Sequence, residues 1–154
     1  TVVCKLFNQV RPDLALFGEK DWQQLAVIRQ MARDLDLLEP AASAIIGVPT
    51  VRQADGLALS SRNAYLSEAD RAKAAALPRS MQAAIAAVHG GQSFSAALTD
   101  LAAALISAGF SSVDYVEIRD AATLAPRDQP GQAPLRLLVA ARIGGTRLID
   151  NMPL

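Results

Sequence analysis

The first third of the chain has an apolar pattern that predicts one strand–helix–strand unit after a short helix. Residues 2–9 are helical in period and end before Pro12, because a residue that precedes proline is kept out of the α region. The short apolar runs at 14–17 and 44–48 are typical of buried parallel strands. The helix between them, with Asp21 as its expected cap, carries apolar residues at helical spacing: Leu25, Ile28, Ala32 and Leu35.

The middle of the chain predicts a loop followed by a long helix. Residues 49–66 are rich in turn formers and show no apolar period. Ser67 and Asp70 then have the spacing of a capping box at a helix start. Pro78 should kink or split this helix before the glycine pair at 90–91 stops it.

The last part of the chain predicts one more helix and three strands. Ser95 is the expected cap of the helix, and Gly109 should end it. Glycines 144 and 145 have the signature of a hairpin turn that joins two of the strands. The strands are expected at residues 113–119, 135–141 and 146–149. Helices followed by antiparallel strands indicate an α+β layer.

Composition narrows the functional classes. The chain has 154 residues, of which 51% are hydrophobic and 19% charged, so it is globular rather than disordered. Its formal net charge is zero, which argues against general binding of nucleic acid or anionic membranes. Cys4 is the one cysteine, expected in the core, and it permits no internal disulfide. No apolar run is long enough to span a bilayer, so a soluble cytoplasmic protein is expected.

The beginning of the sequence suggests that upstream residues are missing. The chain has no initiator Met and enters within an apolar element. A single strand–helix–strand unit also needs neighbouring strands to complete a sheet. We therefore expect the chain to be a fragment of a longer protein.

Two loops carry residues suited to phosphate. Residues 18–21 follow the first strand and lead into a helix, where amides attract anions and Lys20 adds a charge. Residues 59–63 hold two hydroxyls and a guanidinium in succession, and Arg binds phosphate as a fork. From spacing alone, an ordinary turn before a helix is favoured for residues 18–21, and it stays open as an alternative for residues 59–63. His89, the only histidine, is expected to interact with a helix dipole and has no catalytic partner.

Six segments of the chain stand in the order found in one enzyme family. They are residues 5–8, 17–25, 28–29, 48–52, 55–63 and 146–151. Together they resemble the pantothenate synthetase, or pantoate–β-alanine ligase, family. The resemblance covers nearly the whole chain, but the His-x-Gly-His-like segment of the wider nucleotidyltransferase superfamily has no counterpart here.

The resemblance implies an α/β fold in two domains. Residues 1–62 would form the C-terminal part of a Rossmann-like ATP-binding domain. Residues 63–154 would form a small α+β lid domain with two helices and a three-stranded antiparallel sheet. The full-length enzyme would be a homodimer.

The implied reaction is the ATP-dependent ligation of pantoate to β-alanine. Pantoate and ATP would give a bound pantoyl adenylate and pyrophosphate, and β-alanine would then displace AMP. Mg²⁺ would arrive with the phosphates of ATP, and no protein metal site is implied. The fragment alone would be inactive.

The family motif also assigns roles to residues after the first strand. Gly18 and Asp21 would contact the ribose of ATP, with Glu19 in the same ATP-binding loop. Lys20 would bind the phosphates and act in catalysis. Gln24 would hydrogen-bond pantoate.

A second motif completes the implied site. Val51 would hold the adenine side through its backbone, and Leu59 would begin the phosphate-binding loop. Ser60, Ser61 and Arg62 would bind the phosphates as the transition state forms. Because both loops follow neighbouring parallel strands, we expect them to meet on one surface.

Two alternatives stay open at this point. One is another adenylate-forming enzyme that shares this half of the fold. The other is a non-catalytic module that binds nucleotide or dimerises. Neither alternative involves nucleic acid or a membrane, because the chain lacks a basic excess and a spanning segment.

Overall fold

A computed structural model describes residues 1–154 and contains five α-helices and five β-strands. The helices are α1 (Val2–Val10), α2 (Trp22–Asp34), α3 (Glu68–Ala74), α4 (Ala76–His89) and α5 (Phe94–Ser107). The strands are β1 (Ala15–Gly18), β2 (Ile45–Val48), β3 (Ser112–Asp120), β4 (Leu135–Ile143) and β5 (Thr146–Pro153). The chain divides into two compact units, Thr1–Thr50 and Val51–Leu154. The predicted domain boundary after residue 62 stays a prediction.

The first unit contains the strand–helix–strand arrangement that the sequence predicts. β1 and β2 pair in parallel, with Ala15 opposite Ile45 and Gly18 opposite Val48. α2 connects them and buries its apolar stripe against the sheet. The buried residues of this core are Phe7, Ala15, Leu25, Ile28, Ala32 and Ile45.

Two details at the ends of α2 differ from the prediction. Asp21 makes no side-chain capping bond, because a 3₁₀ turn over Glu19–Asp21 leads directly into the helix. Leu35 lies just beyond the last helical residue and is exposed, so the apolar stripe ends at Ala32. The helix therefore stops well before Pro40, which the sequence suggested as its limit.

One face of the two-stranded sheet is apolar and exposed. Leu16, Ile46 and Val48 are each between 40% and 61% exposed, while their neighbours Ala15 and Ile45 are buried. This alternation is what strand geometry dictates when only one face of a sheet packs on a helix. A contiguous apolar surface of this kind is typical of one that another element covers.

The second unit is built on the antiparallel sheet β3–β4–β5. The central strand β4 is buried at every residue except Arg142. α4 packs against α5, and α5 packs against β3. The core is continuous across these elements and includes Leu77, Met81, Leu101, Leu105, Leu137, Val139 and Ile143. The α/β fold class is therefore confirmed.

This unit has three helices where two were predicted, because the long helix is split. α3 ends at Ala74 and α4 begins at Ala76. Pro78 lies in the first turn of α4, where its missing N–H leaves no helical hydrogen bond unmade. The proline therefore marks the start of the second helix rather than a bend within one.

The helix caps of the second unit are set by serines. The Ser67 hydroxyl accepts a hydrogen bond from the Asp70 amide and donates one to Asp70 Oδ2 (2.7 Å), so Ser67 is confirmed as the cap that the Ser67–Asp70 spacing predicts. The cap of α5 is Ser93, whose Oγ accepts from the Ala96 amide, and not Ser95. Burial of Phe94 starts that helix earlier than the prediction.

The predicted hairpin turn between β4 and β5 is confirmed. Gly144 and Gly145 have φ angles of +52° and +78°, which glycine adopts without strain. The carboxylate of Asp70 lies against Gly144, at the place where a Cβ would stand. Gly144 is therefore fixed both by its backbone angle and by its neighbour.

Asp120 organises the turn that follows β3. Its Oδ1 accepts from the amides of Ala122 (3.0 Å) and Thr123 (2.9 Å), and its Oδ2 accepts from Arg127 Nη2 (3.1 Å). These bonds lower the pKa of Asp120 to about 2, and the bond from the Thr123 amide has the largest effect. A depressed carboxylate pKa stabilises the fold above the unfolded-state pKa, near 3.9, and the stabilisation is lost as the pH falls toward 2.

Replacement of Asp120 by Asn should therefore reduce the free energy of unfolding by a pH-dependent amount. Asn keeps an acceptor oxygen but loses the charge that faces Arg127. We expect the difference in the free energy of unfolding between the wild type and the variant to be largest above pH 4 and to decrease toward pH 2. Urea titrations at a series of pH values measure it, and a constant difference over that range would contradict the assignment.

Candidate functional site

Residues 18–21 lie where β1 passes into α2. Gly18 is the last residue of β1, and Glu19–Asp21 form a 3₁₀ turn that ends at the start of the helix. Apart from Gly18 itself and its two neighbours in the chain, no residue has an atom within 4 Å of the place where a Cβ on Gly18 would stand. The backbone at Gly18 is therefore open to close approach by a ligand.

Charged side chains flank this turn. Lys20 Nζ lies 3.9 Å from Asp21 Oδ1, and the Lys20 side chain is 18% exposed against 51% for Asp21. Glu19 reaches across to β2, where its Oε1 would come within 2.8 Å of a Cβ on Gly47. Glycine at position 47 thus makes room for the Glu19 carboxylate. The Lys20 side chain is thus mostly buried, with its ammonium near the Asp21 carboxylate.

Gln24 follows in the first turn of α2. Its side chain is exposed, while the next residue, Leu25, is buried in the core of the first unit. This placement leaves the amide available to a polar ligand, and its assignment to pantoate stays a prediction.

Residues 51–59 form a short hairpin, although the sequence predicted a loop. The Leu59 amide donates to the Val51 carbonyl (2.9 Å), and the Gln53 amide donates to the Leu57 carbonyl (2.8 Å). Gly56, with a φ of +89°, occupies the turn. Leu57 and Ala58 are buried, and Leu57 belongs to the core of the second unit, so the hairpin is anchored there. Its two ends, Val51 and Leu59, are both exposed.

The hairpin leads directly into a capped turn. The Ser60 hydroxyl accepts from the Arg62 amide (3.2 Å), which starts the 3₁₀ helix Ser61–Tyr65. Asn63 fixes the other side, since its Nδ2 donates to the Ala58 carbonyl (3.1 Å) and its amide to the Ser60 carbonyl (3.1 Å). Ser61 and Arg62 are exposed on this turn. A hydroxyl and a guanidinium are therefore presented side by side from a hydrogen-bonded frame.

Four charged residues form ion pairs that support the hairpin, and sequence reasoning assigned this role to none of them. Arg52 forms a bidentate pair with Asp150 of β5, and Arg71 of α3 pairs with Asp55 (2.6 Å). The hydrogen bond from Arg71 is the main reason that the pKa of Asp55 lies below its usual range. Asp150 lies inside β5, where its side chain is buried and ion-paired with Arg52.

The predicted site residues thus form two groups, one in each compact unit. Gly18, Glu19, Lys20, Asp21 and Gln24 belong to the first unit. Val51, Leu59, Ser60, Ser61 and Arg62 belong to the second. Within each group the residues lie on one short segment of the chain, 18–24 in the first unit and 51–62 in the second. That the two groups meet on one surface stays a prediction.

The remaining candidate residues lie outside these groups. His89 occupies the last turn of α4 and is exposed, as the helix-dipole interpretation predicts. Cys4 is partly buried on α1 and unpaired by any disulfide. No three His, Cys, Asp or Glu side chains come together as metal ligands. All five helices lack the length and apolar character needed to cross a bilayer.

Comparison with known proteins gives the family context. The family model described as Pantoate-beta-alanine ligase matches residues 1–153. The pantothenate synthetase of Novosphingobium aromaticivorans is 64% identical over 152 residues, which are 99% of this chain and 53% of that protein. The Caulobacter vibrioides pantothenate synthetase is 59% identical over 155 residues, with the same two shares. The chain therefore spans about half the length of the curated relatives it matches.

Solved structures agree in fold. Pantothenate synthetase from Thermus thermophilus superposes with a TM-score of 0.88 at 45% identity, covering 99% of this chain and 53% of that one. Pantoate-beta-alanine ligase from Francisella tularensis superposes with a TM-score of 0.70 at 30% identity, covering 99% and 48%. The Francisella protein is described as complexed with Beta-gamma ATP and Beta-alanine.

Proposed function

Because this chain belongs to the pantoate–β-alanine ligase family, we propose that it supplies about half of an enzyme that joins pantoate to β-alanine with the consumption of ATP. A pantoate carboxylate oxygen attacks the α-phosphorus of ATP, and pyrophosphate leaves. The amine of β-alanine then attacks the acyl carbon of the pantoyl adenylate, AMP leaves with the bonding electrons, and the amine loses a proton. Adenylation is needed because a free carboxylate is a poor acyl donor.

The observation that carries this proposal is the capped turn at residues 60–62. It presents the exposed Ser61 hydroxyl and the exposed Arg62 guanidinium from a backbone that Ser60 and Asn63 hold in place. We assign these side chains to the phosphates of ATP, where charge builds up as the bond to pyrophosphate breaks. Catalysis of such transfers depends on donors that are already positioned before the reaction.

The other assignments rest on the family motif and on the local geometry of each unit. Lys20 supplies a second charge to the phosphates, and the open backbone at Gly18 together with Asp21 contacts the ribose. Glu19 belongs to the same ATP-binding loop. Gln24 hydrogen-bonds pantoate.

Val51 and Leu59 complete the proposed contacts with ATP. Val51 holds the adenine side through its backbone, and Leu59 begins the phosphate loop. Both lie at the open end of the hairpin, joined by the hydrogen bond from the Leu59 amide to the Val51 carbonyl. This bond makes the adenine and phosphate contacts parts of one rigid element.

The broader features of the enzyme are part of the same proposal. Residues 1–62 complete a Rossmann-like domain, the enzyme works as a homodimer in the cytoplasm, and residues 63–154 serve as a lid. A lid that excludes water would protect the mixed anhydride from hydrolysis. Mg²⁺ enters with the ATP phosphates as part of the substrate.

The test is a chimera in which this chain replaces its counterpart in the Novosphingobium aromaticivorans synthetase. We expect the chimera to form pantothenate, AMP and pyrophosphate from pantoate, β-alanine and ATP. Omitting β-alanine should leave the adenylate and a single turnover of pyrophosphate. Chromatographic detection of pantothenate is the measurement, and a folded chimera that forms none would overturn the proposal.

A further inference from the structure

Arg52 lies at the base of the hairpin and makes four hydrogen bonds from one guanidinium. Nη1 donates to Asp150 Oδ2 (2.7 Å) and to the Gly56 carbonyl (3.0 Å). Nη2 donates to Asp150 Oδ1 (2.9 Å) and to the Asn151 carbonyl (3.3 Å). The arginine therefore joins the turn of the hairpin to strand β5.

The Asp150 carboxylate, which accepts two of these bonds, is held in place by its surroundings. The Asp150 side chain is 1% exposed, against 25% for Arg52. Asp150 Oδ1 also accepts from the amide of Asn151, and Asn151 Oδ1 accepts from the buried Arg136 Nε (2.6 Å). The pair thus belongs to a network anchored in the central sheet, so the position of Arg52 is determined by the core of the second unit.

The hairpin in turn fixes the proposed ATP contacts. Arg52 and Ala58 form an isolated β-bridge, and the next bond outward is that between Leu59 and Val51. Asn63 ties the turn at residues 60–62 back to Ala58. If the hairpin moved relative to β5, Val51 and the turn at residues 60–62 would therefore be displaced together.

We propose that Arg52 is a positioning residue for adenylation: by bridging Gly56, Asp150 and Asn151 it holds the segment 51–62 in register with β5. Arg52 does not itself contact substrate in this proposal, which rests on the function proposed above. Arginine is suited to the task because its planar fork binds a carboxylate and two carbonyls at fixed angles, which the single ammonium of lysine does not reproduce.

The test uses Arg52→Lys in the chimera described above. We expect kcat for pyrophosphate release to fall about tenfold to a hundredfold, because small misplacements of positioned groups have effects of that size. The KM for ATP should change less than kcat. Amide hydrogen exchange in the peptide covering residues 51–62 should become faster. Asp150→Asn, which keeps an acceptor for Arg52, should shift kcat and exchange in the same direction by less, and it replaces Arg52→Lys if that variant does not fold.

Arg127→Lys is the matched control, since it weakens another arginine–aspartate pair, with Asp120, outside the hairpin. It should leave kcat and the exchange of residues 51–62 unchanged at equal folded fraction. The proposal is overturned if Arg52→Lys keeps kcat within twofold of wild type, or if Arg127→Lys lowers kcat equally. If the wild-type chimera forms no pantothenate, the proposed function fails, and the exchange comparison alone decides whether Arg52 holds the hairpin.

Discussion

Replacement of Arg62 by Ala in the chimera should lower kcat for pantothenate formation by about a hundredfold or more, the usual size of the loss when one preorganised donor to a developing charge is removed. Arg62 is exposed on a turn held by Ser60 and Asn63, so the variant should fold normally. The KM for pantoate should change much less, because the guanidinium is assigned to the phosphates and not to the acid. Lys20→Ala should show the same separation between kcat and this KM.

A matched control separates this effect from a general loss of positive charge. Arg79 is also exposed but lies on α4 and is not among the proposed contacts with ATP or pantoate, so Arg79→Ala should leave kcat unchanged. Steady-state kinetics with ATP and pantoate varied in turn provide both constants. An Arg62→Ala enzyme with normal kcat and only a raised KM for ATP would mean that Arg62 binds ground state and transition state equally.

The polypeptide of residues 1–154, expressed by itself, should form no detectable pantothenate. Adenylation needs donors around the α-phosphate, and the histidine pair that the family motif implies has no counterpart in this sequence. The only histidine, His89, lies in the last turn of α4 and is not part of either group of site residues. The phosphate turn and Lys20 alone would supply only part of the required stabilisation.

Pyrophosphate release by this polypeptide should be compared with that of the intact Novosphingobium aromaticivorans synthetase under identical conditions. Heat-denatured polypeptide gives the background. Circular dichroism of the same sample establishes that it is folded. A rate within tenfold of the intact enzyme would show that the catalytic groups lie in this half after all.

Local pattern was sufficient to predict most of the fold. The strand–helix–strand unit, the Ser67 cap and the two-glycine turn follow from short-range rules, and all three are present. The wrong predictions concern helix caps, where neighbouring residues determine at which position the helix begins. Ser95 has the right residue type for a cap, but burial of Phe94 moves the helix start to Ser93. Asp21 has the right type as well, but the 3₁₀ turn before α2 occupies its place.

The same distinction between local pattern and long-range contact applies to the candidate site. Its residue types were readable because glycine, serine, lysine and arginine stand together in short motifs. The ion pair that supports the site could not be predicted, because Arg52 and Asp150 lie 98 residues apart in the sequence and are brought together by the folding of the antiparallel sheet. The hairpin at residues 51–59 was missed for a related reason. It has one buried pair, Leu57 and Ala58, and no alternating run long enough to indicate a strand.

The contact between Asp70 and Gly144 makes the effect of a mutation in the β4–β5 turn depend on the residue in the first turn of α3. Asparagine is normally tolerated at a positive φ, yet its Cβ at position 144 would collide with the Asp70 carboxylate. Asp70 would have to move and would give up its bond with the Ser67 hydroxyl, so the start of α3 would lose one of the two bonds that join Ser67 to Asp70. Gly144→Asn should therefore be harmful beside Asp70 and milder beside a smaller residue. This epistasis would tie the two positions together as the sequence drifts.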